Sequence, residues 1–157
     1  QVEEELAQRS GAQGASGGPS AAELEKRRAE EEALERSIDG ALDRDVLGAL
    51  LEDEEGRVLA SELIDGFLEI TPEKLRQMEH AVEAGDLSAC AMIAHGLVST
   101  SGTVGAIRLA LKLRDIERFA RGGNSIDSAR IVAGCRGEVE LAKRALHKAV
   151  AAGWPAR

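Results

Sequence analysis

Apolar residues recur every three or four positions along residues 37–157, and short polar breaks separate the runs. This spacing predicts amphipathic helices over about 43–51, 56–69, 72–84, 86–104, 106–121 and 125–153. Thr71 and Pro72 predict a break between the second and third of these, because Thr can cap a helix and Pro fits its first position. Short connections favour antiparallel neighbours. We therefore expect an all-α domain built as an antiparallel helical bundle, with a short additional helix at its N-terminal side.

Residues 1–36 have a different composition. Residues 10–20 are mostly Gly, Ser and Ala, which is typical of a flexible linker. Residues 21–36 are helix formers, ten of sixteen are charged, and Leu24 and Leu34 are their only large apolar residues. Such a segment cannot bury an apolar stripe, so we expect a solvated helix or a disordered tail. The predicted organisation is a flexible, charged tail over 1–36, partly helical, and a folded domain over 37–157.

Charge and composition exclude several classes of function. The chain has 20 basic and 28 acidic residues, a net charge of −8, and only 2% aromatic residues. Nucleic-acid binding needs a basic face or stacking aromatics, so we expect no nucleic-acid partner. No apolar run approaches the roughly 18 residues that span a bilayer, so we expect no membrane partner. Cys90 and Cys135 fall on apolar stripes, which indicates buried thiols in a cytoplasmic protein, or a nuclear one in a eukaryotic cell.

His95 differs from the other histidines because it lies in the middle of a predicted helix. It is displaced by roughly 140° from Cys90, outside the stripe that faces the core, so we expect an exposed imidazole. A metal site is disfavoured, since no second His or Cys lies three or four residues away. An incidental surface histidine is one reading. The other is a side chain accessible to a second protein's active site, because its neighbours one or two turns away are small: Ser88, Ala91, Ser99 and Gly102.

The segment 94–106, AHGLVSTSGTVGA, resembles the signature of histidine-containing phosphotransfer (HPt) domains, roughly A-H-x-L-K-G-S-[SA]-x-x-x-G-A. The matching positions are His95, Leu97, Thr100 in place of Ser, Ser101, Gly105 and Ala106. The flanking sequence is also similar to the family at Phe67, Pro72, Leu75, Gly85, Asp86, Ile116, Glu117, Ala120, Arg121 and Gly122. The resemblance covers about residues 38–150.

The resemblance implies an antiparallel four-helix bundle that carries one phosphorylatable histidine, His95. Such a domain takes a phosphoryl group from a receiver-domain aspartate or a kinase and passes it to another receiver. Its implied partners are response-regulator receiver domains, a hybrid histidine kinase, or both, and we expect a monomer. It is a phosphocarrier rather than a free-standing enzyme. We expect no cofactor or metal of its own, with Mg²⁺ supplied by the partner receiver.

The family resemblance also assigns roles around the histidine. Imidazole has an unperturbed pKa near 6.5, so its neutral, nucleophilic form is abundant at pH 7. Glu117 is the candidate that orients the ring, although a solvated charge is its other reading. Ser99 is a candidate contact of the phosphoryl group. A receiver docking surface near His95 is predicted from Ile64, Phe67, Leu68, Ala91, Met92, Val98 and Gly102.

Two positions depart from the family pattern. The family usually has Lys three residues after the histidine and Gly four after, where this chain has Val98 and Ser99. The Lys would offset phosphoryl charge by roughly 1–3 kcal/mol. Its loss suggests slower transfer, a changed lifetime of the phosphohistidine, or a module that docks receivers without transfer. Arg108 and Lys112, in the next helix, are alternative sources of positive charge.

Overall fold

The computed structural model describes residues 17–154, which form five α-helices and one 3-10 helix and contain no β-strand. The α-helices are α1 (Ala21–Gly40), α2 (Glu54–Glu83), α3 (Leu87–Thr103), α4 (Ile107–Arg121) and α5 (Ser125–Ala151). The 3-10 helix, Arg44–Glu52, precedes α2. The chain divides into two compact units between Glu35 and Arg36. Within the described residues, no helix is both long and apolar enough to cross a membrane.

The first unit contains a solvated helix. Residues 21–35 of α1 are all exposed, and this includes Leu24 and Leu34. Ser20 begins the helix as a capping box: its hydroxyl accepts from the Glu23 amide, and its own amide donates to the Glu23 carboxylate. Of the two readings of 21–36, the solvated helix describes this segment. Residues 10–16 of the predicted linker lie outside the described residues.

The second unit is a four-helix bundle of α2 to α5 around one apolar core, which confirms the predicted fold class. The core is continuous through all four helices because each contributes one stripe at spacings of three and four. Its buried members include Phe67, Met78, Cys90, Leu97, Leu113, Ile116, Cys135 and Leu146. The two thiols are buried, as predicted.

The predicted break at Thr71 and Pro72 is wrong, because α2 runs without interruption from Glu54 to Glu83 with Pro72 inside it. The buried side of α2 keeps one register across this point, and the stripe comprises Ala60, Ile64, Phe67, Thr71, Leu75 and Met78. Pro72 itself is exposed, so its ring displaces no core residue. Burial of a single continuous stripe outweighs the loss of one helical hydrogen bond at the proline.

Side-chain caps fix several helix ends. Asp86 caps α3, as predicted, by accepting from the Ala89 amide at 3.0 Å. Asp53 and Asn124 cap α2 and α5 in the same way, at 2.7 and 3.0 Å. The segment predicted as a short α-helix over 43–51 is instead the 3-10 helix, which Asp43 caps. A segment this short gains little from α-helical hydrogen bonds. Its apolar residues can pack on the neighbouring core in a 3-10 helix as well as in an α-helix.

The turn between α3 and α4 is fixed by a close backbone approach. Gly105 has a φ of 85°, and a Cβ atom there would lie 2.2 Å from the Asp43 carbonyl oxygen. The Asp43 amide donates to the Gly105 carbonyl at 2.7 Å. This contact joins the turn to the segment before the 3-10 helix, and the turn places α3 and α4 side by side.

Candidate functional site

His95 projects from the solvent side of α3. The opposite side of the helix is buried through Cys90, Ala94, Leu97 and Ser101, whereas 69% of the His95 side chain is exposed. Helical spacing therefore predicted its exposure correctly. Apart from His95, the α3 sequence contains no ionisable group other than the Cys90 thiol. The charges around the imidazole must come from neighbouring helices.

Glu117 of α4 holds one nitrogen of the His95 ring. The distance from Nδ1 to the Glu117 Oε1 atom is 2.8 Å. An ionised carboxylate can only accept a hydrogen bond, so this contact favours the tautomer that has its proton on Nδ1. In the neutral ring the lone pair then lies on Nε2. Within the described residues, Nε2 has no hydrogen-bond partner, and a nucleophilic nitrogen faces solvent.

Arg121 is a second partner of the same carboxylate oxygen. Its guanidinium lies 2.7 Å from Glu117 Oε1, and it is four residues further along α4. Glu117 is largely buried, with 13% of its side chain exposed, while Arg121 is mostly exposed. Sequence reasoning placed Arg121 in the family-like stretch but assigned it no role at the site. The signal that could have indicated one is the i,i+4 spacing of Glu and Arg on one helix face.

The ring has open space around it. Ser99, one turn after His95, is exposed, and a Cβ atom added at Gly96 or Gly102 would meet nothing within 4 Å. Val98, at the position where the family has Lys, is half-buried and packs against the core. A partner can therefore approach the imidazole without displacing a bulky side chain.

Arg108 and Lys112 are engaged elsewhere. Both pair with Glu138 of α5, at 2.7 and 4.0 Å, and Arg108 also donates to the Ser37 carbonyl at 2.7 Å. Both side chains belong to a half-buried network of ion pairs and hydrogen bonds between α4, α5 and the end of α1. The expectation that they supply positive charge to His95 has no support in these contacts.

The predicted docking surface is only partly exposed. Ile64, Phe67 and Ala91 are at most 4% exposed and belong to the core, so that part of the prediction is wrong. Leu68 and Val98 are half-buried against the core, and Gly102 is also half-buried. Met92 alone is prominent, with 72% exposure.

Sequence reasoning also missed a shallow groove beside His95. The groove has a volume of about 210 Å³ and lies between α2 and α3. Ile70, 48% exposed, and Lys74 form its α2 wall, opposite Met92 and Gly96. Nothing in the one-dimensional pattern shows which residues of α2 face α3 at this level, because that depends on how the two helices cross.

The other reactive side chains are not arranged for chemistry. Burial raises the pKa of the Cys135 thiol to about 12, and burial also raises the pKa of Cys90. Such thiols are poor nucleophiles at neutral pH. Within residues 17–154, no group of three His, Cys, Asp or Glu side chains is placed to hold a metal ion.

Comparisons with known proteins agree with this site and fold. The sequence profile of the Hpt domain matches residues 62–151, a segment that contains both His95 and Glu117. The chain is similar to the crystal structure of histidine-containing phosphotransfer protein B (HptB) from Pseudomonas aeruginosa PAO1. The two are 27% identical with a TM-score of 0.61, over 69% of this chain and 92% of HptB. No curated protein sequence matches the chain. The chain therefore belongs to the Hpt domain family and is a histidine phosphotransfer protein of a phosphorelay.

Proposed function

We propose that His95 accepts a phosphoryl group on Nε2 from a receiver-domain aspartate or a kinase and passes it to another receiver. The observation that carries this proposal is the 2.8 Å contact between His95 Nδ1 and Glu117, on a ring that is 69% exposed. One nitrogen is held by the protein, and the other is open to a second protein. That arrangement suits attack on phosphorus by an oriented nucleophile.

The transfer step needs only these two side chains and the donor. The Nε2 lone pair of neutral His95 forms the N–P bond, and the bond from phosphorus to the donor carboxylate oxygen breaks. The electron pair leaves with the donor aspartate. The ring then bears a positive charge next to Nδ1–H, which donates to Glu117. On return to a second aspartate the N–P bond breaks, and the neutral ring recovers its lone pair, so Nδ1 keeps its proton throughout.

Most of the charge on the moving phosphoryl group is left for the partner to offset. Transfer between oxygen and nitrogen depends on positioning and on cations at the equatorial oxygens. Glu117 has no capacity to offset negative charge, and Val98 stands where the family has Lys. We propose that the partner receiver brings Mg²⁺, and that the Ser99 hydroxyl donates to a phosphoryl oxygen. Met92 and Ile70, both exposed at the groove, form the apolar contact for that receiver.

Transfer from a radiolabelled, phosphorylated receiver domain tests this function. The parent chain is expected to gain an acid-labile, base-stable label, as a phosphohistidine does, and His95→Gln is expected to gain none. His80→Gln is the matched control, since His80 is an exposed histidine near the end of α2 and is expected to label fully.

Two outcomes would overturn the proposal. One is equal labelling of the parent and His95→Gln. The other is saturable binding of several phosphorylated receivers without any transfer, which would instead establish a docking module.

A further inference from the structure

Arg121 and His95 both contact one carboxylate oxygen. The Arg121 guanidinium and His95 Nδ1 lie 2.7 and 2.8 Å from Glu117 Oε1. Three charged or titratable groups from two helices thus meet on the solvent side of α3. Arg121 is the last residue of α4, where a cation also complements the helix dipole.

Few other charges face the imidazole. α3 itself contains no Asp, Glu, Lys or Arg residue. On α2, Lys74 is the charged residue that lines the groove, and it has no hydrogen bond or ion pair with His95 among the described contacts. The 3-10 helix contributes Arg44, Asp45 and Glu52, and none of them has a hydrogen bond or ion pair with His95 among the described contacts. On α4, Arg114 lies one turn before Glu117 and has no hydrogen bond or ion pair with Glu117 or His95 among the described contacts. Glu117, with Arg121 on the same oxygen, is therefore the charged group in described contact with the ring.

A carboxylate alone would have two opposing effects on the ring. It orients Nδ1–H, but it also stabilises the imidazolium, which has no lone pair on Nε2 and cannot attack phosphorus. A cation on the same oxygen offsets the second effect and leaves the first, because the hydrogen-bond geometry is kept while the net charge beside the ring falls to zero.

We infer that Arg121 is a positioning residue that offsets the charge of Glu117. The carboxylate then orients His95 without favouring the imidazolium form of the ring. The benefit that we assign to Arg121 rests on the proposed function, whereas the experiment that tests it does not require phosphoryl transfer. Loss of the Arg121 charge is expected to raise the ratio of imidazolium to imidazole at pH 7 about threefold, a modest effect that suits an exposed, water-screened site.

The test is the position of the His95 Cε1 proton signal at pH 7, measured by NMR in the parent and in variants. Arg121→Gln is expected to move this signal toward its acid limit, and Arg121→Lys is expected to restore the parent position. The movement is expected to shrink at 1 M salt, where charges are screened over about 3 Å. The matched control is Arg118→Gln, which removes the same charge from the last turn of α4, at a residue that pairs with Asp115.

The outcomes separate this inference from the proposed function. It is overturned if Arg121→Gln leaves the signal in place, or if Arg118→Gln moves it equally. Neither result depends on phosphoryl transfer. Conversely, labelling of His95→Gln as strongly as the parent would end the proposed function and leave the NMR result standing. Arg121 is exposed at a helix end, and circular dichroism of each variant confirms that it is folded.

Discussion

At the scale of single residues, we expect the reactivity of His95 to depend on Glu117. Replacement by Gln keeps the size of the side chain but removes its charge and supplies an NH₂ group that can donate to an unprotonated Nδ1, which allows the other tautomer. We expect Glu117→Gln to slow phosphoryl transfer about tenfold, the value of one charge-assisted hydrogen bond. Rapid-quench measurement of transfer from a phosphorylated receiver gives the rate.

Asp115→Asn is the control for that change, because Asp115 is an exposed carboxylate on α4 that pairs with Arg118. It is expected to leave the rate unchanged. A rate for Glu117→Gln equal to that of the parent would show that Glu117 does not orient the ring. Nitrogen-15 shifts of the His95 ring report the tautomer directly, and the parent is expected to carry its proton on Nδ1.

Val98 stands where the family has Lys, so the site lacks the positive charge of that lysine. A lysine here can lay its stem along the half-buried path of the valine and extend its ammonium to solvent near Nε2. We expect Val98→Lys to quicken transfer about tenfold, because the ammonium offsets phosphoryl charge. Val98→Met is the control, since it supplies a long stem without charge. Equal rates in the two variants would contradict the electrostatic account.

Sequence reasoning found only some of the site. The exposure of His95 followed from helical periodicity, and Glu117 followed from the family resemblance. The role of Arg121 was missed, as were Ile70 and Lys74, and Ile64, Phe67 and Ala91 were wrongly placed on the surface. The periodicity of one helix tells which face is apolar, but the crossing angle of two helices decides which residues meet at their edges.

At the scale of elements, the turn between α3 and α4 depends on Gly105. A side chain there would need a positive φ, which costs non-glycine residues about 1–3 kcal/mol, and its Cβ would also collide with the Asp43 carbonyl. We expect Gly105→Ala to lower the free energy of unfolding by more than about 2 kcal/mol. Urea denaturation followed by circular dichroism measures the change.

Gly66→Ala provides the comparison within the same protein. Gly66 lies inside α2, and an added Cβ would meet nothing within 4 Å, so alanine is expected to stabilise the fold by up to about 1 kcal/mol. Equal losses at both glycines would show that the close approach at Gly105 is unimportant.

The elements themselves were largely predictable, and the exceptions have physical reasons. The helices over 86–104, 106–121 and 125–153 were found within two residues at each end, because glycine turns and caps such as Asp86 mark their limits. The predicted break at Pro72 was wrong. Proline locally favours a helix start, but the continuous buried stripe keeps α2 intact across this position. The form of the 3-10 helix could not be predicted, because packing rather than propensity determines so short a segment.

At the scale of the whole molecule, half of the net charge lies outside the folded domain. Residues 1–36 carry nine acidic and five basic side chains, or −4, and residues 37–157 carry nineteen and fifteen, again −4. The acidity that disfavours nucleic-acid binding is therefore divided equally between the two regions, although the first is much shorter. It does not describe the site, where Arg121 and Glu117 offset one another.

Burial of Cys135 makes the stability of the bundle sensitive to alkaline pH. Burial raises the pKa of this thiol from 9.0 to about 12, so above pH 9 the unfolded chain has released a proton that the folded chain still binds. Stability is then lost as the pH rises from 9 to 12, by roughly 1 kcal/mol per pH unit from this group. Urea denaturation between pH 8 and 11 is expected to give a steeper fall for the parent than for Cys135→Ala. Parallel curves would contradict the assignment.

The central claim is that Nε2 of His95 carries the phosphoryl group. Phosphorus-31 NMR of the protein after transfer from a receiver, together with mass-spectrometric mapping, measures this directly. The expected result is a single phosphoramidate signal of the Nε2 type that maps to His95 and disappears in His95→Gln. A signal of the Nδ1 type, or a phosphoryl group that maps to another residue, would contradict the account, because Nδ1 is the nitrogen that Glu117 holds.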